Sequence, residues 1–130
     1  GIGRPMKVGK EEIAGVVAAV ELFMEQDEEA VIRRWEERCH AIAAAVQGVA
    51  GITARQQPPY ANRFPPASPL VHLHFGPGAP HSAGAVRQAL REGEPSVVAG
   101  GSDTSITFGP QTLQEGEAEI IAGRLRAIFS

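Results

Sequence analysis

Leu70-Val71-His72-Leu73-His74-Phe75 is the stretch on which the fold turns. Successive side chains of an extended strand point to opposite faces, so Val71, Leu73 and Phe75 share one side and Leu70, His72 and His74 the other. One apolar face and one carrying two imidazoles predict a strand over 70–75 in a sheet with one buried side. A turn follows at 76–80. Ser82 then offers a side-chain oxygen to the free N–H groups of a helix running through Arg91, with Val86, Ala89 and Leu90 inward. Gly93 and Pro95 stop that helix.

Outward from this centre, residues 52–56 read as a short strand. Residues 57–69, with five prolines and the pair Asn62-Arg63, read as a long loop. Residues 96–99 and 104–108 predict two strands joined by the hairpin signal Gly100-Gly101-Ser102-Asp103. A last helix is expected over 116–129. Its acids Glu115, Glu117 and Glu119 come early and Arg124 and Arg126 late, the order the helix dipole favours, and Ile121, Leu125 and Ile128 mark the inner side.

The first third is helical by its spacing. Ile13, Val17, Val20, Met24, Glu28, Val31, Trp35, Cys39, Ile42 and Val46 follow one another by three or four, and only Glu28 is not apolar. Without an interrupting proline, this predicts one long helix over 9–47, kinked near Asp27 if anywhere, and ended by Gly48 and Gly51. Its length of roughly 55–60 Å exceeds the roughly 30–35 Å width of a compact domain of this size. Such a helix is expected to reach a further domain or a second copy, making the protein a homo-oligomer. The alternative is a helical hairpin with Asp27 capping the second arm. The fold class is α+β: a long amino-terminal helix, then over 48–130 a small, mostly antiparallel sheet with helices on one face, the whole forming one domain over 1–130.

Composition excludes several functions. With 130 residues, 43% apolar content and a net charge of −3, the chain lacks the basic field that collects nucleic-acid phosphates. Aromatic content of 5% leaves no base-stacking platform. No apolar run is long enough to cross a bilayer, and none is expected to serve as a signal peptide. The single cysteine, Cys39, forms no internal disulfide, suits a reducing cytoplasm and falls on the apolar stripe as a core residue.

Few residues suggest chemistry. Arg4, Lys7 and Lys10 crowd the start of the long helix, where positive charge opposes the dipole. That placement reads as an anion site gripping a carboxylate or phosphate, or as a solvated basic segment balanced by Glu11 and Glu12. His72 and His74 could share a metal, but a zinc site needs further ligands and no paired cysteine or histidine companion exists. Gly100-Gly101-Ser102 reads as a plain turn before a phosphate nest, and Ser82 and Ser102 sit in no nucleophile pattern.

The opening Gly1-Ile2-Gly3-Arg4-Pro5-Met6-Lys7-Val8-Gly9-Lys10-Glu11-Glu12 reads as a connector from the middle of a larger protein. The run from Gly3 to Ile13 resembles the segment leaving the catalytic domain in the selenocysteine-synthase-like group of fold-type I pyridoxal-phosphate enzymes. Trp35-Glu36, "LVHLHF", "VRQALREGEPSVVAGG" and "ITFGPQTLQEGEAEIIAGRLRAIF" also look like that group's small domain. The resemblance implies the carboxy-terminal domain of a cytoplasmic lyase or transferase acting on an amino acid or amino sugar. It implies that Arg4 and Lys7 face the active site and bind an anionic substrate group. Lys7 stands where relatives that transfer selenium carry arginine, which points away from that particular chemistry. The cofactor lysine, the aspartate for the pyridine nitrogen and the phosphate loop belong to the group's large domain, expected before Gly1. The chain alone is therefore expected to bind no pyridoxal phosphate and to be inactive. The competing expectation is a free-standing α+β ligand-binding or dimerisation module.

Overall fold

The computed structural model describes residues 7–59 and 68–130. Its elements, in chain order, are α1 (Lys10–Glu25), α2 (Glu28–Ala44), β1 (Ile52–Gln57), β2 (Leu70–Phe75), α3 (Ala83–Glu92), β3 (Gly100–Gly101), β4 (Ser105–Phe108) and α4 (Glu117–Phe129). The chain divides into two compact units, Gly1–Val31 and Ile32–Ser130.

The single helix expected over 9–47 is in fact two. Gln26 ends α1 in an extended conformation, its N–H bonded to the Phe23 carbonyl. The Asp27 carboxylate accepts a hydrogen bond from the Ala30 N–H at 3.0 Å and starts α2. Aspartate favours caps over helix interiors because its short side chain competes for nearby backbone N–H groups. The apolar spacing is continuous across the break, so periodicity alone does not reveal it. In the first unit α1 buries none of its residues, and Ile13, Val17, Val20, Leu22, Phe23 and Met24 are all more than half exposed.

The second unit is an α+β layer. Its antiparallel sheet has the order β1-β2-β4-β3. Register sets Ala54 opposite Leu73 and Leu73 opposite Ile106, which makes one apolar face. Leu73, Ile106 and Val71 are fully buried there against Ile42 and Val46 from the α2 end, Val86 and Leu90 of α3, and Ile121 and Leu125 of α4. Each large apolar side chain so buried contributes about 1.5–3 kcal/mol. The α2 end, α3 and α4 pack on this face, as expected. Thr53, Arg55, His72, His74, Ser105 and Thr107 occupy the other face, opposite one another across the three strands.

Local signals explain the joints. The Ser82 hydroxyl accepts from the Ala85 N–H at 3.2 Å and caps α3. Gly51 has φ +70°, and a Cβ there would overlap the backbone of Ala79, so the turn into β1 needs glycine. The strand expected over 96–99 does not form, and β3 is only Gly100–Gly101. The Val97 N–H donates to the Leu90 carbonyl and the Ser96 hydroxyl to the Arg91 carbonyl, tying this segment to the end of α3 instead of to β4.

Candidate functional site

Of the two residues expected to bind an anion, Arg4 lies outside the described residues. Lys7 is exposed and precedes α1, and Lys10 opens the helix. Gly9 provides no side-chain cap. Glu11 and Glu12 occupy the first turn, and the Glu12 carboxylate folds back over Gly9, into the space a Cβ there would need. An acidic residue at this end offsets the positive pole of the helix. The basic residues and the carboxylates thus share one short exposed stretch, and any anion held by Lys7 meets those carboxylates close by.

Cys39 is 1% exposed on the inner side of α2. Burial, with Glu36 adding to it, raises its thiol from the ordinary value of 9.0 to about 11. It therefore carries little of the thiolate that nucleophilic chemistry needs. The turn after β3 is a closed hairpin: the Ser102 N–H donates to the Ser105 carbonyl at 2.9 Å, and the Ser102 hydroxyl accepts from the Thr104 N–H. Those N–H groups are engaged within the turn, which is the plain reading of this stretch.

The histidines stand on the open face of the sheet. His72 is half-buried and His74 exposed, their rings 6.3 Å apart. His72 Nδ1 is hydrogen bonded to Thr107 Oγ1 at 3.0 Å. Register sets Arg55 of β1 directly opposite His72. Arg55, Gln57, His72 and His74 line a shallow groove of about 430 Å³. Sequence reasoning singled out the two histidines but not Arg55. A charged residue at alternate spacing signals only a solvated face, and the pairing that brings it to His72 joins strands far apart in the sequence. Among the described residues no group of three or more His, Cys, Asp or Glu side chains could hold a metal ion. Nor is any described helix long and apolar enough to cross a membrane.

The architecture defines the class first: a small α+β domain with an antiparallel sheet covered on one face by helices. No model of a protein family matches the chain, and no curated protein does. Among solved structures it is similar to a D-glucosaminate-6-phosphate ammonia-lyase, with a TM-score of 0.65 and 27% sequence identity. The match takes in 98% of this chain but only 34% of that one, so the chain spans about a third of the lyase's length.

Proposed function

We propose that this chain is the carboxy-terminal small domain of a pyridoxal-phosphate-dependent lyase or transferase related to selenocysteine synthase, and that it helps bind an anionic amino-acid or amino-sugar substrate. The observation that carries the reading is the similarity of nearly the whole chain to one third of an ammonia-lyase. That enzyme's named substrate is an amino sugar acid bearing both a carboxylate and a phosphate, which agrees with a need for cationic side chains. The exposed apolar surface of α1 supports a partner, such as the missing cofactor domain or a second copy.

The described residues do not themselves fit the cofactor. The chain's two lysines, Lys7 and Lys10, are both exposed at the start of α1, whereas a lysine that holds a cofactor carbonyl needs a desolvated pocket to release its proton near neutrality. In this reading the rest of the polypeptide holds pyridoxal phosphate and supplies its carbanion-stabilising chemistry. Arg4 and Lys7 orient an anionic substrate group from the connector.

The test is steady-state kinetics on the full polypeptide. A charge-assisted contact contributes about 1.5–3 kcal/mol, so Arg4→Ala should lower kcat/KM roughly 10- to 150-fold with little change in melting temperature. Lys7→Ala should lower it less, because an ammonium is less directional than a guanidinium fork. Unchanged kinetics for Arg4→Ala, or a loss matched by a fall in melting temperature, would reject the assignment. The second reading, a free-standing α+β module that dimerises through α1, rests on the same exposed apolar residues. It predicts a native protein no larger than this chain.

A further inference from the structure

We infer that the open face of the sheet carries a phosphoryl-binding site built from Arg55, His72 and His74. It lies wholly within the second unit and does not depend on the function proposed above. β1 and β2 place Arg55 against His72, and β2 places His74 two residues on, along the same face. The three side chains, with Gln56 and Gln57, line one groove of about 430 Å³, and no carboxylate stands among its described lining residues. The Arg55 guanidinium is permanently charged and meets no counter-charge among those lining residues, and an anion supplies one.

The hydrogen bonding fixes which atoms face a ligand. Thr107 Oγ1 engages His72 Nδ1 at 3.0 Å, leaving Nε2 as the nitrogen free for a ligand. When the Thr107 hydroxyl donates to Nδ1, the ring proton sits on Nε2, and when the ring is an imidazolium, both nitrogens carry protons. In these two states an N–H donor is presented to the groove, and in the other neutral tautomer, with Nδ1–H donating to Thr107 Oγ1, Nε2 is an acceptor that can take a proton from a protonated phosphate. A second imidazole stands beside it at His74, the two ring centroids 6.3 Å apart, and Arg55 comes from the neighbouring strand.

Three donors on two strands match a tetrahedral phosphoryl group better than a carboxylate. Donors that each hold a different oxygen of one phosphate lie about 5–7 Å apart, given hydrogen bonds of about 2.8 Å. A planar carboxylate would satisfy the Arg55 fork and leave both imidazoles without a partner. A metal ion is disfavoured by the guanidinium opposite His72 and by the lack of a third ligand among the described residues.

The probe is inorganic phosphate, titrated at constant ionic strength into the 130-residue chain while the imidazole resonances of His72 and His74 are followed by NMR. Both should shift together and saturate, and acetate or chloride should produce no saturable change. Arg55→Ala should weaken phosphate binding by at least about tenfold, the loss of one charge-assisted contact. Arg55→Lys should fall between. Arg126→Ala removes an exposed charge from α4 and should leave binding unchanged. Circular dichroism confirms the fold of each variant, which the exposure of Arg55 protects. A response linear in phosphate, an equal response to acetate, or an equal loss in Arg126→Ala would overturn the site. So would tight zinc binding by His72 and His74 that survives Arg55→Ala.

Discussion

Raising the pH from 8 to 10.5 should cost this protein stability through one side chain, Cys39. The thiol is 1% exposed, and burial raises it from 9.0 to about 11. The raised value belongs to the folded state, so the folded chain keeps its proton where the unfolded chain has lost it. The associated stability is fully present below pH 9 and drains away as the pH climbs towards 11. At pH 10.5 the loss amounts to about 2 kcal/mol, and it cannot exceed about 3 kcal/mol, the worth of a shift of two pH units. Other groups titrate in the same range, so the measurement is a difference. Urea midpoints of the natural sequence and of Cys39→Ala are compared at pH 8 and 10.5, and the fall should be steeper for the natural sequence. The same burial predicts the thiol's reactivity. At pH 8 the thiolate fraction is about one-tenth for an ordinary thiol of this kind and about one-thousandth for Cys39. Labelling by a disulfide reagent should therefore be at least about 100-fold slower than for a free thiol, and should recover in urea. Parallel stability curves for the two proteins, or labelling at the rate of an exposed cysteine, would refute the placement of Cys39 in the core.

Two further substitutions test how the chain is jointed. Gly51→Ala should destabilise by more than about 2 kcal/mol, because left-handed strain adds to overlap with the backbone of Ala79. Gly48→Ala, also at positive φ but facing open space, should cost only about 1–2 kcal/mol. Equal melting temperatures for the two would count against the close approach at Gly51. Asp27→Ala should weaken the start of α2 by about 1 kcal/mol and lower the helical circular dichroism, and Asp27→Asn should retain most of both. No change in Asp27→Ala would show that the carboxylate does not cap the helix.

The sequence is most readable where one physical rule acts alone. β2 follows from strict alternation, and the register around it buries Val71 and Leu73 as that alternation requires. α3 begins where the Ser82 hydroxyl can accept a backbone N–H, and it ends before Gly93. Reading fails where two rules compete. At Asp27 the apolar period argues for one continuous helix, while the carboxylate competes for the backbone, and the local hydrogen bond prevails. At 96–99 the valines argue for a strand, yet Val97 and Ser96 find carbonyl partners at the end of α3, and on the side away from β2 the β4 strand pairs with only two residues. The candidate sites divide the same way. His72 and His74 announce themselves by spacing, but Arg55 joins them only through a register between strands that are far apart in the sequence. The anion-binding role proposed for Arg4 and Lys7 rests on basic side chains crowded at a helix start, a pattern that reads equally as a solvated segment, and on the family resemblance.

We propose that this chain is one domain of a larger pyridoxal-phosphate enzyme whose cofactor is held elsewhere in the polypeptide. The most direct measurement is borohydride reduction of the native protein, followed by peptide mapping of the lysine that retains the cofactor. The native polypeptide should be longer than these 130 residues, with the label on a lysine outside them. A label on Lys7 or Lys10, or a native protein that retains no cofactor, would contradict it.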